Sequence, residues 1–447
     1  MKLSVVGCGY LGAVHAAAMT QLGHEVVGID VDPTRVETLQ RGEVPFFEPG
    51  LADILTAARG TGRLRFSSDI AQAAGSRVHF LAVGTPQRKG GHAADLSYVD
   101  AAVEALVPHL APGDVVVGKS TVPVGTARRL AAQLAEGAPG AVLVWNPEFL
   151  REGLAVQDTL QPDRIVYGLP DDPASASAAR AALDEVYAVA LAAGTPLVTT
   201  DYQTAELVKV AANAFLATKI SFINAMAEIA EVVDADVTEL ADAIGLDNRI
   251  GRRFLNAGVG FGGGCLPKDI RAFQARAEEL GVGDSVTFLR EVDAINQRRR
   301  ARVVDLVLDA LDGQPLGKRV AVLGLAFKPN SDDVRDSPAL DVAVQLHGRG
   351  ADVVATDPEA IANSRQLQPQ LTFTVDVDEA LADAEVVVVV TEWSQFRQLD
   401  PVRVRGLVAR PVVVDARNCL DREAWQAAGW TYLGMGRGVV PSLSPAR

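Results

Sequence analysis

Short β-branched runs alternate with alanine- and leucine-rich segments from residue 2 to about residue 200. "KLSVVGCG", "HEVVGID", "RVHFLAVG", "DVVVGKS", "AVLVWNPE" and "RIVYG" read as buried strands, and "AVHAAAMTQLG" and "DAAVEALVPHL" read as helices between them. That alternation predicts a parallel, doubly wound sheet. From Thr204 to Val233 there is no Pro or Gly and helix formers dominate, which predicts one long helix or two in line. "DIRAFQARAEEL" and "FLREVDAINQRRRARVVDLVLDAL" continue the helical character. Helices apolar on more than one face, as here, are expected to pack against a second subunit. At "GKRVAVLGLAF" the N-terminal pattern returns, with the glycines of "GCGYLG" replaced by a longer polar loop, "KPNSDDVRDSP". The expected fold is α/β, with two Rossmann-like doubly wound domains, 1–200 and 301–447, joined by a central long-helix domain, 201–300.

At 447 residues the chain is long enough for two or three domains. A net charge of −14 argues against nucleic-acid or anionic-membrane binding, so phosphates must be held by local cations and backbone amides. The three cysteines have neither disulfide nor metal-ligand spacing, and no metal is expected. "MKLSVVGCG" enters a strand at once, leaving no room for a signal sequence. No uninterrupted apolar run approaches the ~18 residues of a membrane span. A cytoplasmic, reduced, soluble protein is the expectation.

"GCGYLG" places Gly7, Gly9 and Gly12, with Tyr10 and Leu11 between them, after a strand and at the start of a helix. Glycine allows a tight turn and close approach of a pyrophosphate to helix N–H groups. Asp30 ends the second strand, where a carboxylate accepts from ribose hydroxyls and repels a 2′-phosphate, so NAD is favoured over NADP. Arg35 could meet the pyrophosphate, or weaken that preference by meeting a 2′-phosphate. Cys8 reads as a small buried residue of the turn. Thr85, followed by Pro86 in "VGTP", and Thr121 in "KSTVPVGT" stand at strand ends. Either threonine could bond the cofactor or a water, or cap the following turn.

Lys209 and Asn213 lie four apart in the long helix and point the same way. A lone helical lysine is usually a solvated charge, but this one sits among apolar neighbours in a chain with eight lysines. Glu148 and Glu152 in "NPEFLREG" follow a predicted strand, where α/β sheets place their ligands. They could hold a water, act as base or bind sugar hydroxyls; alternatively one pairs with Arg151 and the other starts a helix.

Cys265 in "GFGGGCLPKD" is the sharpest feature, because core cysteines are not expected behind glycines and before a proline. The glycines offer amides to an anion, Lys268 would favour a thiolate, and Asp269 could orient a base or water. A nucleotide-dependent dehydrogenase with a nucleophilic thiol suggests two oxidations in one site. A primary alcohol becomes an aldehyde, the thiolate adds to give a thiohemiacetal, and a second hydride loss gives a thioester that water opens to a carboxylate.

Taken together, "GCGYLG", "FFEPGL", "KSTVPVGT", "NPEFLREG", "PDRIVYG", "AELVKVAANAFLATKISFINAMAEIAE", "NRIG", "GFGGGCLPKD", "GLAFKPNSDDVRDSP" and "TEW" resemble the UDP-glucose/GDP-mannose dehydrogenase family over nearly the whole chain. The resemblance implies NAD-dependent four-electron oxidation of UDP-glucose to UDP-glucuronate by a homodimer or higher homo-oligomer. NAD would bind in 1–200, the catalytic cysteine loop and dimer contact would lie in 201–300, and 301–447 would bind the UDP-sugar. It implies Cys265 as nucleophile and Lys209 and Asn213 as oxyanion stabilisers. Asp269 and Thr121 would move protons through a water, while Glu148 and Glu152 assist oxidation or hydrolysis. For the substrate it points to the 258–264 loop, with Gly258, Phe261 and Gly262, to Phe149, Leu150, Lys268 and Lys328, and to Arg249 from a partner subunit. Arg335, with Lys268 and Glu152, would reach the cofactor. The UDP-glucose branch usually has Ser at 264 and Phe at 266, where this chain has Gly264 and Leu266. The same chemistry on GDP-mannose or a UDP-N-acetylhexosamine is the alternative. A single-step hydroxyacid dehydrogenase would yield one NADH and tolerate loss of Cys265. A non-catalytic sugar-nucleotide sensor would have lost Cys265, Lys209 or Asp269, and all three are present.

Overall fold

A computed structural model describes residues 1–438, which form two compact units. The first comprises Met1–Ala212 with Arg271–Gly283, and the second Asn213–Ile270 with the chain from Asp284 onward.

In the first unit, eight strands form one sheet in the order β3-β2-β1-β4-β5-β6-β7-β8. They are β1 (Lys2–Val6), β2 (Glu25–Ile29), β3 (Leu64–Ser67), β4 (Val78–Leu81), β5 (Val115–Gly118), β6 (Val142–Trp145), β7 (Ile165–Leu169) and β8 (Leu197–Asp201). The central strands are buried on both faces, as in the fully covered run Val115–Gly118. Leu3, Val5, Phe80 and Val117 pack on one face, and Val6, Leu81, Val116 and Trp145 on the other. Strands β1 to β6 pair in parallel, but β7 pairs antiparallel to β6 through Trp145 and Gly168, and β8 runs parallel to β7. The wholly parallel sheet expected from the alternation is therefore corrected at β7. The connection between β6 and β7 holds the short helix Ala155–Leu160, of six residues, in place of the longer crossover helix that joins parallel neighbours.

The second unit holds a six-stranded parallel sheet in the order β11-β10-β9-β12-β13-β14. Its strands are β9 (Arg319–Leu323), β10 (Asp352–Thr356), β11 (Thr372–Phe373), β12 (Val386–Val389), β13 (Val412–Asp415) and β14 (Thr431–Gly434). The internal repeat is visible atom by atom. After β1, Gly7 N donates to Ile29 O and Cys8 N to the Asp30 carboxylate, both at 2.7 Å. After β9, Gly324 N donates to Thr356 O at 2.8 Å, and Leu325 N and Ala326 N donate to Asp357 at 2.7 and 3.0 Å.

The helix Tyr202–Val233 is one continuous element of 32 residues, about 48 Å long. It is the one helix among the described residues long and apolar enough to cross a membrane by length and composition. Lys209, Asn213, Lys219 and Asn224 interrupt its apolar runs. Within the second unit Ser221 donates to Val292 O at 2.7 Å and Asn224 accepts from Gly258 N at 2.9 Å, contacts of a helix packed in protein.

Candidate active site

In the first unit the cofactor loop explains its own glycines. Gly7 has φ +90°, and a Cβ on Gly12 would lie 1.7 Å from Gly7 O, so the turn closes only with glycine there. A Cβ on Gly9, at the head of the helix Tyr10–Gln21, would meet nothing within 4 Å. That open backbone beside free helix N–H groups is what a pyrophosphate needs, so the residues present fit a dinucleotide. Leu11 packs partly buried against the core of this unit.

Asp30 is buried, and its carboxylate takes Cys8 N, Asp32 N and both contacts of Arg35 Nη1, each at 3.1 Å. Arg35 thus pairs with the acidic residue that ends β2. Cys8 is buried, and burial followed by Asp30 pushes its thiol far up, which leaves it inert. Thr85 Oγ1 donates to Thr121 O at 2.8 Å and joins the two strand-end loops. Pro86 is exposed beside it.

The "NPEFLREG" segment carries a pairing that sequence reasoning missed. Glu148 does not pair with Arg151, which is bound instead to Asp158 at 2.6 Å. Its Oε2 meets Lys119 Nζ at 3.1 Å, and its Oε1 accepts the N–H groups of Phe149 and Leu150 at 2.8 and 3.0 Å. Lys209 is half-buried, with Nζ 5.6 Å from the centre of the Phe149 ring. Glu152 is half-buried one residue before a second anchor. There Glu48, from "FFEPGL", accepts from Gly153 N and Ala155 N at 2.6 and 2.7 Å and from the Tyr10 hydroxyl. Tyr10 belongs to the cofactor loop, so one buried carboxylate ties that loop to the segment bearing Glu152. Only the ordered motifs hinted at these two residues, "FFEPGL" at Glu48 and "KSTVPVGT" at Lys119, and neither signalled a role for them.

In the second unit Cys265 is exposed and immediately precedes the helix Leu266–Glu279. One turn on, Asp269 is 2% exposed, and its N–H donates to Cys265 O at 2.9 Å. Its carboxylate takes Asn213 Nδ2 at 2.7 Å and Lys268 Nζ at 2.6 Å. The structure thus brings Asn213, Lys268 and Asp269 together, and Lys268 is neutralised by its neighbour.

The glycine loop ahead of the thiol is clamped by its own unit. Asn296 exchanges two hydrogen bonds with the Phe261 backbone, and Arg417 donates to Gly260 O and Phe327 O. A Cβ at Gly258 would meet Ala416 O at 2.6 Å and one at Gly262 would meet Asp336 O at 2.3 Å. At Gly264 it would meet the Arg335 guanidinium at 2.4 Å, so the arginine occupies the space a larger residue would use. Lys328 lies over the Phe327 ring, its Nζ 5.2 Å from the centroid. Arg249 is exposed in the "NRIG" loop and paired with Asp247, and Lys219 of the long helix holds that loop through Ile250 O and Gly251 O.

The glycine turn, the open backbone at the head of its helix and the acidic residue that ends β2 define a dinucleotide-binding oxidoreductase class. Models of the UDP-glucose/GDP-mannose dehydrogenase family match residues 1–191 (NAD binding domain), 203–298 (central domain) and 321–422 (UDP binding domain). The chain belongs to that family. It is 43% identical to UDP-glucose 6-dehydrogenase of Rhizobium meliloti (strain 1021), over 98% of this chain and 100% of that one. It is 41% identical to UDP-glucose 6-dehydrogenase TuaD of Bacillus subtilis (strain 168), over 100% of this chain and 95% of that one. A UDP-glucose dehydrogenase structure from the archaeon Pyrobaculum islandicum superposes with TM-score 0.87 at 40% identity, covering 97% of each chain.

Proposed function

We propose that the chain oxidises UDP-glucose to UDP-glucuronate in two steps through a covalent Cys265 intermediate. The observation that carries the mechanism is the placement of Cys265 on a clamped glycine loop, one helical turn before the buried Asp269–Asn213 pair. NAD, held by Gly7, Gly9, Tyr10, Leu11, Gly12, Asp30, Thr85 and Pro86, supplies the hydride acceptor for both oxidations. Arg35 supports Asp30 through their ion pair. Lys268 and Arg335 also serve the cofactor.

Cys265 adds as thiolate to the aldehyde carbon, forming a C–S bond and an oxyanion. Lys209 and Asn213 stabilise that oxyanion, the task of a cation and an amide donor. Asp269 and Thr121 move the proton of the reacting alcohol through a water. Loss of the second hydride leaves a thioester. Water then attacks its carbonyl, the C–S bond breaks, and Cys265 recovers its thiolate while Glu148 or Glu152 takes up the released proton. Gly258, Phe261, Gly262, Phe149, Leu150, Lys328 and a partner's copy of Arg249 hold the sugar nucleotide. The working assignment is cofactor binding in 1–200, the cysteine loop in 201–300 and UDP-sugar binding in 301–447.

A second copy is the expected partner. Phe215, Phe222 and Ile229, seven apart on the long helix, are 67%, 48% and 55% exposed, an apolar stripe that a matching helix covers. No disulfide joins Cys8, Cys265 and Cys419, which is compatible with the cytoplasmic location proposed here.

NADH formed per limiting UDP-glucose tests the reading. Two NADH with UDP-glucuronate as product is expected, with turnover lost in Cys265→Ser. One NADH, or a fully active Cys265→Ser, refutes the covalent route. Two NADH from GDP-mannose and none from UDP-glucose keeps the chemistry and replaces the sugar.

A further inference from the structure

Lys119 ends at 4% exposure beyond the last residue of β5, in the middle of the first unit. A buried ammonium is costly unless every N–H finds an acceptor. Here all three do: Glu148 Oε2 at 3.1 Å, Asn146 Oδ1 at 3.0 Å and Tyr187 OH at 3.3 Å. Tyr187 OH in turn donates to Asn146 Oδ1 at 2.7 Å, and Asn146 Nδ2 donates to Val166 O at 2.9 Å. The network spans β5, the loop after β6, β7 and the segment after the helix Pro173–Val186.

A buried ion pair is a poor device for stability, since apolar side chains of the same volume do as well or better. Its use is to specify geometry. Glu148 has both oxygens engaged, Oε2 by the cation beneath it and Oε1 by the N–H groups of Phe149 and Leu150. The turn 148–150 is therefore tied to the sheet by a single ammonium.

The charged surroundings agree. Burial pushes Lys119 down, but Glu148 and Tyr187 outweigh it and hold the ammonium above its ordinary range. Burial and then Lys119 push His15 well down, so that ring faces the site neutral. A small cavity beside the pair is lined by His15, Lys119, Glu148, Asp158, Arg164 and Tyr187. Asp158 is bound to Arg151, and Arg164 lies 3.9 Å from the centre of the Phe149 ring.

We propose that Lys119 is a positioning residue of the reaction. Through Glu148 it fixes the 148–150 turn and holds that carboxylate in place before substrate arrives. The proposal rests on the functional reading above, in which Glu148, Phe149 and Leu150 face the sugar nucleotide.

The test is a double-mutant cycle with UDP-glucose and NAD on wild type, Lys119→Met, Glu148→Gln and the double variant, recording kcat and KM separately. Lys119→Met is expected to lower kcat by about 10- to 100-fold, with KM for UDP-glucose within about threefold. The double variant should be no slower than Glu148→Gln to within about twofold, since Lys119 acts only through Glu148. Losses that multiply, a Lys119→Met enzyme with unchanged kcat, or a loss that falls on KM instead of kcat overturn the proposal. If Lys119→Met does not fold, the double variant, which leaves no unpaired charge, is compared with Glu148→Gln alone; equal rates support the proposal and a further loss refutes it. Wild type failing to oxidise UDP-glucose would defeat the functional reading and this inference together, whereas multiplying losses in an active enzyme defeat the inference alone.

Discussion

Glu206 sits in the first turns of the long helix, three residues before Lys209, and is 2% exposed. Its two oxygens accept from Gly125 N at 2.7 Å and Ala127 N at 2.6 Å, which caps the helix Thr126–Gly137 and pins the loop that begins at Thr121. Burial raises its carboxyl to about 7, against the pull of those amides and of Arg276. Arg276 itself is bound to Val124 O in the same loop. Because the folded value lies above the unfolded one of about 4.5, the folded state holds a proton that the unfolded chain has released between those pH values. The stabilisation from this group is fully present below about pH 4.5, falls as pH rises, and is gone above about 7. At about 1.36 kcal/mol per pH unit, the total is roughly 3 kcal/mol. Glu206→Gln removes the titration and adds a pH-independent loss of about 1–2 kcal/mol, because its NH2 must face a backbone N–H. Urea unfolding of both proteins at pH 5 and pH 8 checks this. The stability advantage of wild type over the variant should shrink by about 2–3 kcal/mol between the two conditions. An advantage that stays constant, or grows toward pH 8, would refute the reasoning.

The same structure makes two further claims. Gly12→Ala puts a methyl where Gly7 O lies 1.7 Å away, so the cofactor turn must open; the KM for NAD should rise at least tenfold, on the order expected of a displaced binding loop, measured by initial rates at saturating UDP-glucose. At Gly264 the nearest atoms to an added Cβ are the far end of the Arg335 side chain, and the branch resembled usually carries serine there, so Gly264→Ser should keep the melting temperature and hold kcat/KM within about threefold, measured by thermal unfolding and initial rates.

Legibility followed burial and sequence distance. The central strands were readable because both faces are covered and the chain writes them as unbroken apolar runs, as in Val115–Val117. The edge strands β3 and β8 escaped for the opposite reason. β8 is solvent-facing along most of its length, and "LVTTD" carries no core signature. The reversal at β7 escaped because strand direction depends on how far the connecting helix travels, which composition does not encode. Cys265 stood out since glycines and a proline are a strange setting for a thiol. Its Asp269–Asn213 neighbours were named separately, but their contact joins residues 56 apart and belongs to packing. Lys119 opens the motif "KSTVPVGT", but its role was unread for the same reason: its partners Asn146, Glu148 and Tyr187 lie far along the chain, and nothing local marks a lysine as buried.

The clamped glycine loop and the long polar loop after β9 belong to one compact unit, pressed together at Gly262 against Asp336, Gly263 against Phe327 and Gly264 against Arg335. On the proposed reading, in which Lys328 meets the sugar nucleotide and Cys265 the reacting carbon, these close approaches fix the spacing of the two loops, so the length of the link between nucleotide and sugar would be selected along with the sugar itself.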